Sequence, residues 1–140
     1  MSQVTPRIRN FARRLLVYEM RNKNSSDVQP HDTFHVCEKL RPLLATLMGT
    51  GGFRALLSRA LVLTNAEVSG LRAVGVNDVG ILESHEESQS QLNSRKFFEG
   101  QVVLTANLLV LLMAFIGEDL TVRLVRDVWP DFQIDDSGFR

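Results

Sequence analysis

The chain has little cysteine, few aromatics and no excess of charge. Its 140 residues include one Cys, one Trp, one Tyr and four Pro. The lone Cys37 excludes an intramolecular disulfide framework and fits a reducing, cytoplasmic setting. Sixteen Lys and Arg balance sixteen Asp and Glu. That balance removes any whole-molecule attraction to nucleic acid or anionic lipid. With 44% hydrophobic and 23% charged residues, composition is that of one ordinary soluble domain. No repeat of solenoid period is found.

Recognisable catalytic and cofactor patterns are missing too. His31, His35, Cys37 and Glu38 are close in sequence, but on a helix His35 and Cys37 point to opposite sides, and no CxxC supplies further metal ligands. Gly49-Thr50-Gly51-Gly52 precedes a helix bearing Arg54, yet a helix comes before it and no Gly-Lys-Ser/Thr follows. It reads as a helix–helix turn, not a phosphate loop. His85-Glu86-Glu87 lacks the second histidine of a zincin, and Ser88 and Ser90 have no identifiable base. The expectation is a chain without enzymatic activity, cofactor or metal.

What is present is helical periodicity. Thr5 caps a helix with Pro6 at its first position. Ile8, Phe11, Ala12, Leu15 and Leu16 form its apolar stripe. Arg13 and Arg14 interrupt the apolar positions, so this start reads as a first helix, not a secretory leader. Glu19 projects onto the apolar side, and the helix is expected to end or leave the core near there. Residues 22–32 are polar, aperiodic and expected to form a flexible linker. A second helix starts at Asp32 or Thr33, is kinked or restarted at Pro42, and stops at Gly49–Gly52. A third covers Phe53 to Leu63, forming a helical hairpin with the second.

Residues 71–83 hold two short apolar runs around Asn77-Asp78-Val79-Gly80, the pattern of a hairpin or of a plain loop. Glu83 to Asn93 reads as a solvated connector or a weak helix. Ser94 caps a long helix to Ile116, and Asp119 caps the last one, whose inner side is Leu120, Leu124, Val125, Val128 and Trp129. Residues 131–140 form an acidic tail, expected to be poorly ordered. The predicted fold is all-α: a compact bundle of five or six helices around the apolar helix, with or without one small β-hairpin, in a single domain over residues 1–130.

The stretch from Val102 to Ile116 carries no charge. Fifteen helical residues span about 22 Å, less than a hydrocarbon core of about 30 Å. Asn107 would also be disfavoured at mid-depth in a bilayer. Burial in protein is therefore preferred to a membrane span. Because this helix is apolar around its circumference, it must be surrounded by its own chain or share a side with another. Leu108, Leu112, Phe115 and Trp129 are the predicted partner interface, with a homodimer or larger assembly as the expected form.

Charge is unevenly placed: net +5 over residues 1–23, −2 over 24–117 and −3 over 118–140. Arg7, Arg13, Arg14, Arg21 and Lys23 form a possible face for an anionic partner. A solvated face, or docking of Arg13 and Arg14 onto Asp135 and Asp136, competes with that reading. The function expected is that of a non-catalytic interaction, adaptor or regulatory protein. A nucleic-acid-associated regulator using the basic helix and a membrane-attached protein using residues 102–116 are the alternatives.

Overall fold

The computed structural model describes residues 4–22, 34–69, 71, 74–78, 80, 82–84 and 94–132. Among them are four helices and one two-stranded hairpin. The order is α1 (Pro6–Asn22), α2 (His35–Glu67), β1 (Val74–Val76), β2 (Leu82–Ser84), α3 (Ser94–Ile116) and α4 (Glu118–Val128). The chain is thus mostly helical, with four helices where five or six were expected. The linker over 23–32 and the connector over 85–93 lie outside the described residues.

The first helix forms as its sequence dictates. Thr5 Oγ1 accepts from the amide of Ile8 at 3.2 Å, and the Thr5 carbonyl accepts from Arg9 at 3.0 Å. Pro6 costs nothing at the first position, where its missing N–H would have no partner. Ile8, Phe11, Ala12, Leu15 and Leu16 are all buried. The helix does not leave the core at Glu19. It continues to Asn22 with the Glu19 carboxylate buried.

The second and third expected helices are one element, α2, interrupted at a single residue. Gly49 has φ 83° and ψ 158°, the only non-helical angles within it. Essentially only glycine occupies that region. One such residue is enough to redirect the chain, so Thr50, Gly51 and Gly52 are already helical, not part of a four-residue link. Pro42 lies within the helix, and the break comes at Gly49 instead. Gly117 repeats the device between α3 and α4, with φ 92° and ψ 159°. It also takes the cap position expected of Asp119, which lies inside the first turn of α4.

The hairpin pairs antiparallel, Val74 with Ser84, Gly75 with Glu83 and Val76 with Leu82. It is anchored on α2. Arg54 Nε donates to the Asn77 carbonyl at 3.1 Å, so this arginine braces the turn. Gly80 has φ 86°, and a Cβ there would be 3.0 Å from Cδ2 of buried Phe53. Leu71, Val74 and Leu82 complete the contact with the core.

The long helix α3 contacts α1, α2 and α4. Its 23 residues are about 34 Å long, because it begins before the apolar run. By length and composition α3 could therefore cross a membrane, with a mean hydropathy of 1.8 over its most apolar stretch. In this fold 56% of that stretch is packed inside the protein. Its polar residues are accommodated there. Asn107 Nδ2 donates to Thr64 Oγ1 at 3.2 Å, and Thr64 Oγ1 donates to the Ala60 carbonyl at 2.8 Å. This buried bond fixes α2 against α3 at one register.

Cys37 is a buried core residue of α2, and burial, with the nearby Glu38 charge, pushes its thiol up from 9.0 to about 12. The folded state therefore binds a proton that the unfolded chain releases above pH 9. Stability is expected to fall as pH rises from 9 towards 12, by up to about 1.4 kcal/mol per pH unit from this group. Urea unfolding at pH 8 and pH 10 checks this: the loss between them is smaller in Cys37→Ala. A native thiol that reacts freely with a disulfide reagent at pH 8 would contradict it.

Candidate interaction surfaces and the junction that positions them

Three features stand out: a buried polar junction, a basic face on α1 and an apolar corner between α3 and α4.

The junction is built around Glu19, which lies on the apolar side of α1 because its charge is met there. Its Oε2 accepts from Trp129 Nε1 at 2.5 Å and from Lys39 Nζ at 2.8 Å. Its Oε1 is buried with no hydrogen-bond partner among the described residues. A carboxylate taken out of water needs partners, and these come from α2 and from the residue closing α4. The lysine keeps much of its side chain in solvent, whereas the carboxylate is enclosed. Trp129 contributes a large apolar body and one donor, and both are used.

The chain beyond Trp129 folds onto α1. The Phe132 amide donates to the Trp129 carbonyl at 3.1 Å. Its ring meets Phe11 edge-on at 5.4 Å and Tyr18 at 5.2 Å between centroids. The Arg14 guanidinium lies 5.4 Å from the same ring centroid, within cation–π range. Phe132 is therefore packed into the same core as α1. Residues 133–140, including Asp135 and Asp136, lie outside the described residues, as does Lys23.

The basic face of α1 is divided. On one flank, Arg13 makes a two-pronged pair with Glu99 of α3, one contact being Nη2 to Oε1 at 3.0 Å. Arg9 pairs with Glu67 at the end of α2. The hydrogen bond from Arg13 holds the Glu99 carboxyl below its usual range against desolvation, with the charges of Arg13, Arg9 and Arg95 adding to it. The same hydrogen bond raises the Arg13 guanidinium. On the other flank Arg7, Arg14 and Arg21 recur every seven residues, forming an exposed column with steps of about 10.5 Å. Arg13 is thus a strut between helices, while Arg7, Arg14 and Arg21 are exposed.

The apolar corner centres on Gly117. Phe115 is 65% exposed and Leu120 38% exposed. Ile116 between them is half-buried. The other predicted interface residues are elsewhere: Leu108, Leu112 and Trp129 are buried inside the chain. The helix was apolar all round because its own chain covers most of it. Among the described apolar side chains of α3, the one that is exposed rather than buried or half-buried is Phe115 in its last turn, apart from the small Ala114 beside it.

Among the described residues no group of three His, Cys, Asp or Glu side chains is placed to hold a metal. Comparison with protein-family models, with curated proteins and with solved structures finds no match to this chain. The reading therefore rests on its own geometry. Glu19, Glu67 and Glu99 were missed as partners of the basic residues. Glu19 alone carried a signal, as a charge on an apolar stripe.

The division of the basic face makes a distinction testable. Arg13→Glu places like charges against Glu99 and is expected to lower stability by at most about 1 kcal/mol, since the pair is partly exposed. The pair contributes above the usual carboxylate pKa, and its contribution is lost as pH falls through the depressed Glu99 value. Thermal unfolding of Arg13→Glu and Arg21→Glu at pH 7, in low and high salt, checks this. The first variant should be the less stable, with the gap narrowing in salt. Equal effects would contradict the strut.

Proposed function

We propose that this chain is a non-catalytic interaction or regulatory protein of the cytoplasm. It is a compact bundle of helices around α3 that acts as a homodimer or as a subunit of a larger assembly. The observation that carries this reading is the exposed Phe115. A single exposed apolar residue is ordinary. Here an exposed phenylalanine, a half-buried isoleucine and a part-exposed leucine share one helix–glycine–helix corner. Aromatic anchors of this kind are enriched at the centres of protein interfaces. Leu47 makes a parallel at the other corner, two residues before Gly49, and is 49% exposed.

The nucleic-acid alternative is supported by the Arg7–Arg14–Arg21 column. Pairing of Arg9 and Arg13 with carboxylates reduces the charge that a phosphate backbone would meet. The membrane alternative is supported by the length of α3, and disfavoured by Gln101, Thr105 and Asn107 buried along it.

Phe115→Ser with Leu120→Ser tests the proposal. Size exclusion with light scattering is expected to give the wild type at twice 15.8 kDa. The double variant should run as a monomer that still unfolds cooperatively, because neither side chain belongs to the core, with its midpoint lowered only by the loss of association. A wild type that is monomeric at micromolar concentration and does not bind a hydrophobic dye would overturn it.

A further inference from the structure

We propose that Gly49 is a hinge through which the chain exchanges half of α2 with a second copy of itself. The two halves are separated by nothing but one residue in a glycine-only conformation. On both sides of it the backbone is helical. Apart from its chain neighbours, nothing lies within 4 Å of where a Cβ on Gly49 would stand, so open space adjoins the corner. Its counterpart at Gly117 is held differently. There Thr121 Oγ1 donates to the Gly117 carbonyl at 2.8 Å, beside the Thr121 amide at 3.2 Å. Among the described residues no side chain makes such a bond to Gly49.

Rotating Gly49 into helical angles would make α2 one straight helix of 33 residues, about 50 Å long. A compact chain of 140 residues has a radius of gyration of about 14 Å, hence a diameter of roughly 37 Å. A straight α2 cannot stay inside one such molecule. One half must leave its seat, and both halves carry core residues. Val36, Cys37, Leu40 and Leu44 are buried on the first half, and Phe53, Leu57, Ala60 and Leu61 on the second. The vacated seat matches only the same half-helix, so a second copy of this chain is the partner that restores every contact. The corner is thus a switch between a closed monomeric fold and an exchanged dimer. This inference does not rest on the Phe115 corner.

Gly49→Ala is the direct test, in a Phe115→Ser, Leu120→Ser background that removes the other proposed interface. Alanine is penalised at φ 83° and favoured in a helix, so it biases the hinge towards straightening. Gly51→Ala is the control. Gly51 is already helical with open space at its Cβ, so alanine there should stabilise without changing mass. Light scattering is expected to show Gly49→Ala shifted to twice 15.8 kDa and Gly51→Ala at 15.8 kDa. Spin labels at Thr46→Cys and Arg59→Cys, with Cys37→Ala, report the angle directly. Their separation should lengthen to about 20 Å in the straightened helix. If Gly49→Ala does not fold, the parent chain refolded from urea at rising concentration supplies the answer through a growing, slowly reverting dimer fraction. A monomeric Gly49→Ala with an unchanged label distance would overturn the proposal. So would refolding that yields only monomer at every concentration.

Discussion

One buried carboxylate connects the two ends of this fold. Glu19, near the end of α1, accepts from Lys39 of α2 and from Trp129, which is 110 residues later in the chain. Removing an ionised group from water is costly, and the cost is recovered only where the donors are correctly placed. Glu19 therefore defines one arrangement of α1, α2 and the end of α4. Once Trp129 is placed, Phe132 falls against Phe11, Tyr18 and Arg14, and the last described residue becomes part of the core.

The other constraint is backbone geometry at Gly49 and Gly117. Each breaks a helix at one residue, which is shorter than a conventional loop. The consequence for the surface is direct. A helix that stops so abruptly leaves its last turn beyond the cover of its neighbours, and in both cases the residue two before the glycine is exposed and apolar. The fold's economy at the corners thus generates the exposed apolar surface on which the proposed interaction rests.

The helices α1 and α3 were legible because their signals are local. Thr5-Pro6 caps the first, a 3.6-residue stripe defines its buried side, and Ser94 to Ile116 is bounded by a polar residue and a glycine. The hairpin was legible as an alternative to a loop, since the turn residues at 77–80 are visible but the support from Phe53 and Arg54 is not. Glu19 was misjudged for a physical reason. A charge on an apolar stripe signals either the end of burial or a buried partner, and that partner lies 110 positions away. Trp129 was read by its bulk as an interface anchor, whereas its N–H commits it to an internal acceptor. Leu108 and Leu112 show the same limit: an all-apolar helix reveals that something covers it, not whether the cover is its own chain. The break in α2 was placed over four residues because Gly51 and Gly52 look equivalent to Gly49 until the backbone angles separate them.

The central claim is that the Glu19–Trp129 bond couples the ends of the chain, and a double-mutant cycle measures it most directly. Glu19→Met, Trp129→Phe and the double variant are unfolded in urea at pH 7 and followed by circular dichroism, which does not need the tryptophan. Phenylalanine keeps most of the ring and removes the donor, and methionine keeps the length and removes the acceptor. The account predicts a coupling energy of about 1–2 kcal/mol, as for a buried hydrogen bond to a charged group. Effects that add to within about 0.5 kcal/mol would show that the two residues act independently and would contradict it.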